Sequence, residues 1–197
     1  MTEATDTPRR ATSGVAVSPM FLDRWSPRAF LDAPLSDADK ASLLEAARWA
    51  PSSMNEQPWR IWFADTPATL QRLRPVLAEG NRRWADRAPL LLLVAAHRRF
   101  QQSGKENRWA AFDAGAAWMS LALEARRRGL YAHAMGGFDV AKAREVIGSA
   151  SKDYDILAVV AVGKRAGPEA LPDDIRAREH PTDRRPVGEW SARVPTD

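Results

Sequence analysis

Two stretches of this 197-residue chain, residues 90–96 and 155–162, constrain its fold more than any other feature. The first reads Leu-Leu-Leu-Leu-Val-Ala-Ala between Pro89 and Arg98, and the second is apolar throughout after Asp155. A strand with one wet face alternates polar and apolar side chains, so a strand without alternation must be covered on both faces. The chain therefore needs a sheet with a layer on each side. Residues 109–127, lying between the two runs, form the longest helical stretch. It carries Trp109, Phe112, Ala116, Met119 and Leu123 on one side, and its first half is thinned by Ala110, Ala111, Ala114, Gly115, Ala116 and Ala117. A thin helix lets another backbone come close, and one apolar over much of its girth calls for burial.

The flanking pieces fill in the layers. Ser36 followed by Asp39 resembles a capping box, opening a helix with Ala38, Ala41, Leu44 and Ala47 on one side and Pro51 as its stop. Residues 60–64 alternate loosely and read as a strand. Thr66-Pro67 starts a helix whose face is Leu70, Leu73 and Leu77, with Pro75 placed to kink or end it. Gly129 terminates the long helix, and Asp139 caps another that runs to about Ile147. This order predicts an α+β fold, a three-layer α/β sandwich, with residues 1–22 as a flexible arm and 23–197 as a single domain. A parallel dinucleotide-binding sheet lacks its Gly-x-Gly-x-x-Gly fingerprint. The 34 residues after Gly163 hold five prolines and little periodicity. Too polar to build a core of their own, they are expected to wander or to wrap along a neighbour.

Composition removes several function classes. There is no cysteine, so disulfides and thiolate chemistry are excluded, and the three histidines, at 97, 133 and 180, have no partner at helix spacing for a zinc site. No stretch approaches the length of a membrane span, and residues 1–10 lack an apolar signal core, so a cytoplasmic protein is expected. The net charge of +4 is carried by small arginine groups rather than one continuous basic face, which argues against nucleic acid. Eight tryptophans fill cores or wall pockets for flat ligands, and composition does not choose between these.

Conventional catalytic machinery is missing. No Gly-x-Ser-x-Gly is present, and Asp32 with Asp37, or Asp173 with Asp174, read as cap and surface residues. Arg24, Ser26 and Arg28 alternate, so in an extended segment all three point one way. Two guanidinium groups around a hydroxyl suit a phosphate or a polar ring edge; an exposed strand paired with surface acids would look the same.

At this point the chain resembles the nitroreductase family of flavin enzymes. Arg24-Trp-Ser-Pro-Arg-Ala-Phe30 is similar to the family's opening, and Ala50-Pro-Ser-Ser-Met-Asn-Glu-Gln-Pro-Trp59 to its most specific signature. Asn81 with Arg87-Ala-Pro89, residues 113–129, Met135-Gly-Gly-Phe-Asp139, Ala161-Val-Gly163 and Arg184-Arg-Pro186 follow in order. The resemblance implies a mostly antiparallel sheet and a homodimer binding FMN at the subunit interface. The central helix would pack on its twin and the tail would wrap the partner.

By the same resemblance, Arg24, Trp25 and Ser26 belong to the cofactor site, with Arg185, or Arg184 in its place, on the phosphate. Arg28 would sit near the pyrimidine edge. Pro51, Ser52 and Ser53 would lie against the flavin from the partner, braced by Asn55 and Gln57, while Asn81 would bond the pyrimidine side. Met135, Gly136 and Gly137 would bring backbone N–H groups toward N5, which carries hydride without an obligatory acid or base. The implied reaction is ping-pong hydride transfer from NADH or NADPH through FMN to nitroaromatics, quinones or activated enones. Another enzyme of the superfamily, such as a reductive dehalogenase or one forming a cofactor fragment, and a non-enzymatic flavin sensor are the alternatives. The chain departs from many relatives at Gly136, where they carry an acid, and at Trp84, where some carry a lysine for which Arg82 or Arg83 could compensate. Its short 98–108 link should leave the pocket open or leave Trp84 and Trp109 to line it.

Overall fold

The computed structural model describes residues 14–195. After a one-turn helix α1 (Pro19–Asp23) come α2 (Asp37–Arg48), β1 (Trp59–Ala64), α3 (Pro67–Leu73), α4 (Glu79–Ala85) and β2 (Leu90–His97). The long helix α5 (Ala110–Arg127), β3 (Tyr131–Met135), α6 (Val140–Ile147), β4 (Tyr154–Gly163) and a short α7 (Asp173–Arg176) complete the order. The four strands make one sheet in the order β1-β2-β4-β3, every neighbouring pair antiparallel. One residue, Leu157, is extra in β4 where the register with β2 shifts between Val94 and Ala95.

The two unbroken apolar runs are the central strands, as their composition demands. Leu90, Leu92 and Val94 of β2 and Val160 and Val162 of β4 face α2 and α5, meeting Leu43, Ala47, Ala114, Ala117 and Leu121. Leu91, Leu93, Val159 and Ala161 face the other way, onto Phe30, Leu70, Leu73, Trp84 and Ala143. The expected three layers are present. No helix among the described residues is long and apolar enough to cross a membrane.

Capping chemistry set the helix limits. The Ser36 hydroxyl accepts the Asp39 N–H at 3.0 Å, Thr66 and Thr69 bond reciprocally in front of Pro67, and Asp139 accepts the N–H groups of Ala141 and Lys142. Pro75 sits in a 3₁₀ turn that ends α3, and Gly129 takes a φ of 72° just past α5.

Three expectations are corrected. The buried face of α2 is Leu43 and Ala47, with Ala38 and Ala41 exposed and Leu44 half-buried. On α5 the buried stripe is Ala110, Ala114, Ala117, Leu121, Ala122 and Ala125, while Phe112 stays 78% exposed and Trp109 44%. Both stripes are apolar; the sheet takes the one small enough for close approach. The segment after β4 does not simply wander: Ala166, Leu171 and Ile175 enter the core, and the Ala166 and Leu31 N–H groups bond the carbonyls of Ala29 and Lys164. Residues 181–195 are exposed. Of the expected arm, residues 1–13 lie outside the described residues, and α1 occupies its end.

Candidate functional site

Arg24, Ser26 and Arg28 do point one way. Between them Trp25, Pro27 and Ala29 are buried; Trp25 meets Tyr131 edge-on at 6.2 Å, with the Arg165 guanidinium 5.0 Å from its ring. Alternation thus anchors one set of side chains in the core and presents the other. The presented set opens into a cavity of about 380 Å³. Trp25 also borders it; the opposite wall is a second strip, Arg178, His180, Pro181, Thr182 and Arg184, and His133 of β3 completes it. Arg184 is in the wall and Arg185 is not.

The electrostatics of this cavity are one-sided. Four guanidinium groups line it, and no lining residue is acidic. Partial burial lowers the Arg28 pKa first, and the neighbouring charge of Arg178 lowers it further, against the opposing pull of Glu179. Among the described residues the Arg28 guanidinium donates to the Arg178 carbonyl alone, at 3.3 Å, and the Ser26 hydroxyl bonds nothing. His133 Nδ1 lies 2.9 Å from the Pro27 carbonyl oxygen, a pure acceptor, so this nitrogen carries the proton. Burial pushes the imidazole pKa down to about 4, the hydrogen bond to Pro27 resisting and the Arg28 charge adding to the fall. His133 is therefore neutral at pH 7.

Two further groups of expected site residues stand outside this cavity. Asn81 and Gly137 are in contact: the Asn81 amide donates to the Gly137 carbonyl at 2.9 Å, and the Ala78 N–H donates to the same oxygen at 3.0 Å. A Cβ on Gly137 would lie 2.8 Å from Asn81 Nδ2, so the contact requires glycine. Gly136 has open space around it and Met135 is buried. One turn beyond Asn81 on α4, Trp84 stacks against His133 with ring centroids 4.6 Å apart. The Asn81–Gly137 contact and the cationic cavity are thus joined through Trp84 and His133. Gly137 follows His133 by four positions, a span of about 13 Å if extended.

The loop after α2 is the other group. Met54, Asn55 and Gln57 take φ values of 53°, 57° and 51°, a left-handed conformation that costs a non-glycine residue about 1 kcal/mol or more each. Local bonds hold it: the Gln57 N–H donates to the Ser52 hydroxyl at 3.0 Å and the Gln57 amide to the Asn55 carbonyl at 3.0 Å. Gln57 braces the loop through its side chain; Asn55 contributes its tolerance of the left-handed backbone. Asp113 of α5, buried, accepts the Ser53 N–H at 3.0 Å, and Glu56 accepts the Gln101 N–H at 2.7 Å. These fix the loop to α5 and to the 98–108 link. Pro51, Ser52 and Ser53 do not reach the cavity of their own chain.

Several expectations change here. Trp84 does not line this cavity: it is 3% exposed, against Phe30 and His133. Arg83 is held by both carboxylate oxygens of Asp174 at 2.6 and 2.7 Å, and Arg82 lies 3.8 Å from Asp86; neither lines the cavity. The 98–108 link folds on itself, with Asn107 N–H donating to the Arg98 carbonyl and Phe100 N–H to the Lys105 carbonyl, and it leaves the cavity uncovered. Arg178, His180 and Thr182 were missed, although Arg-x-His-x-Thr leading to Arg184 alternates in sequence as plainly as Arg24-x-Ser-x-Arg. No group of side chains among the described residues could hold a metal ion.

Comparison with known proteins places the fold and the family. A crystal structure described as an oxidoreductase containing FMN is 37% identical and superposes with a TM-score of 0.87 over 96% of each chain. A Streptomyces coelicolor protein provisionally named an NADH dehydrogenase/NAD(P)H nitroreductase is 30% identical over 184 residues, 83% of this chain and 91% of its own. A nitroreductase family protein from Streptococcus pneumoniae, at 18% identity, shares the fold with a TM-score of 0.74 over 89% of this chain and 98% of its own. The profile of the nitroreductase family matches residues 22–164, and the chain belongs to that family.

Proposed function

We propose that the protein is an FMN-dependent oxidoreductase that works as a homodimer with its cofactor site at the subunit interface. The observation that carries the reading is the cavity walled by Arg24, Ser26 and Arg28 on one side and by Arg178, Thr182 and Arg184 on the other, rich in cationic donors and without an acid. A phosphate monoester supplies the acceptors that such a donor set lacks. When bound, FMN supplies a two-electron carrier that takes hydride from NADH or NADPH and, after the nicotinamide leaves, passes electrons to a nitroaromatic, quinone or activated enone.

The chain's own residues bind and orient. Arg24, Ser26 and Arg184 hold the phosphate, and Arg28 keeps a positive charge at the wall where charge builds during electron uptake. Asn81, bonded to the Gly137 carbonyl, and the backbone at Gly136 and Gly137 would hold the ring. Pro51, Ser52 and Ser53 come from the partner. Two things support this: the loop is set by its own bonds and by Asp113, and the Ser53 hydroxyl is left without a bond among the described residues. The outward stripe of α5, with Phe112 78% exposed, and the exposed Trp190 and Val194 of the tail supply apolar surface for the second copy. Gly136 leaves the substrate side roomy, which suits broad acceptance.

The test is anaerobic addition of NADH or NADPH to the FMN-loaded protein, then of a benzoquinone or a nitrobenzoate. Bleaching of the flavin colour, its return on adding acceptor and steady nicotinamide oxidation are expected. Bound flavin that no nicotinamide bleaches would instead favour the sensor reading.

A further inference from the structure

Glu179 is a buried carboxylate, 7% exposed, between two residues that wall the cationic cavity. A buried charge costs several kcal/mol unless its oxygens are satisfied. The nearby guanidinium of Arg28 does not satisfy it, since that group donates to the Arg178 carbonyl. Instead the Arg28 N–H lies 3.0 and 2.9 Å from the two Glu179 oxygens, and the Ala29 N–H lies 3.0 Å from one of them. The carboxylate is spent on the backbone of the opposite strip, 150 residues away in sequence.

Its place in the chain gives that contact its leverage. The N-terminal strip has other anchors, the bonds to residues 164–166 and the buried Trp25. The C-terminal strip has few: beyond Glu179, no backbone N–H from His180 to Gly188 bonds a backbone acceptor among the described residues. Glu179 is thus the last fixed point before His180, Thr182 and Arg184. With Glu179 buried against the N-terminal strip, its neighbours Arg178 and His180 on either side line the cavity.

We propose that Glu179 is the positioning residue that assembles the anion site from its two strips, and that Arg178, His180 and Thr182 bind the phosphate group alongside Arg24 and Ser26. This rests on the FMN reading above and extends it to residues outside the family motifs. The carboxylate accepts every bond it makes; an amide at 179 keeps one accepting oxygen and sets an N–H donor where the other met the Arg28 N–H.

The experiment titrates FMN, by quenching of its fluorescence, into wild-type protein, Glu179→Gln, Glu179→Asp, Arg178→Ala and Leu70→Ala, with unfolding followed for each. Leu70 lies in the core near α3, away from the cavity, and its truncation reports the effect of lost stability alone. Glu179→Gln and Arg178→Ala should each weaken FMN at least tenfold. Glu179→Asp should recover part of that loss, and Leu70→Ala should stay within twofold of wild type. Inorganic phosphate, used as a competitor, should displace FMN less well from Glu179→Gln than from wild type. Wild-type protein that takes up no FMN would overturn the function reading itself. If wild type binds FMN, the positioning role fails in either of two ways: Glu179→Gln binds equally well, or Leu70→Ala loses as much.

Discussion

His133 is held far from its free chemistry. Its imidazole, stacked on Trp84 and bonded to the Pro27 carbonyl, is held neutral by burial with a pKa of about 4. In the unfolded chain it would titrate near 6.5, so the folded state binds fewer protons across the interval between. Stability from this group is whole above about pH 6.5 and is lost as pH falls, amounting to about 3 kcal/mol by pH 4. Denaturant unfolding of His133→Asn, which keeps a donor for Pro27 and does not titrate, should show a correspondingly shallower acid loss than wild type. Parallel pH curves for the two proteins would contradict the buried neutral imidazole. Little of this was legible beforehand: a single histidine between alanines in a short strand carries no sign of its neighbours. Glu179 was hidden for the same reason, since one acid in the run Arg-Ala-Arg-Glu-His looks like solvated surface.

At the scale of elements, the sequence was most readable where one force acted alone. Unbroken apolar runs became central strands, and Ser36, Thr66 and Asp139 marked helix starts because a side-chain oxygen is what an open N-terminus needs. It misled where two apolar faces competed. On α5 hydrophobicity favours the large stripe, but the sheet is met by alanines, and Phe112 and Trp109 are left outward. The segment holding Leu171 and Ile175 gave only two core residues, too few to show a period. The outward stripe has a consequence that can be measured. Phe112→Asp should leave the fold intact, since the side chain is 78% exposed, yet shift the protein to a monomer in sedimentation and lower FMN retention about tenfold or more. A monomer that keeps FMN as tightly as wild type would show that one copy holds the whole site.

For the whole molecule, the fold puts its chemistry where sheet, N-terminal strip and post-β4 segment meet. Arg24, Ser26 and Arg28 are presented because Trp25, Pro27 and Ala29 are buried; Arg178 to Arg184 are presented because Glu179 is tied down. Asn81 and Gly137 reach the same region through α4 and β3. The first strip was visible as an alternating pattern, and the loop after α2 as a dense run of proline, serine and amides. The second strip needed the three-dimensional structure, because it becomes a wall only when the chain's two ends are side by side. The most direct test is equilibrium titration of FMN into wild-type protein and Arg24→Ala. Uptake by wild type with visible yellow colour, and at least tenfold weaker binding by the variant, is predicted. No uptake by wild type, or equal binding by both, would contradict a phosphate held in this cavity.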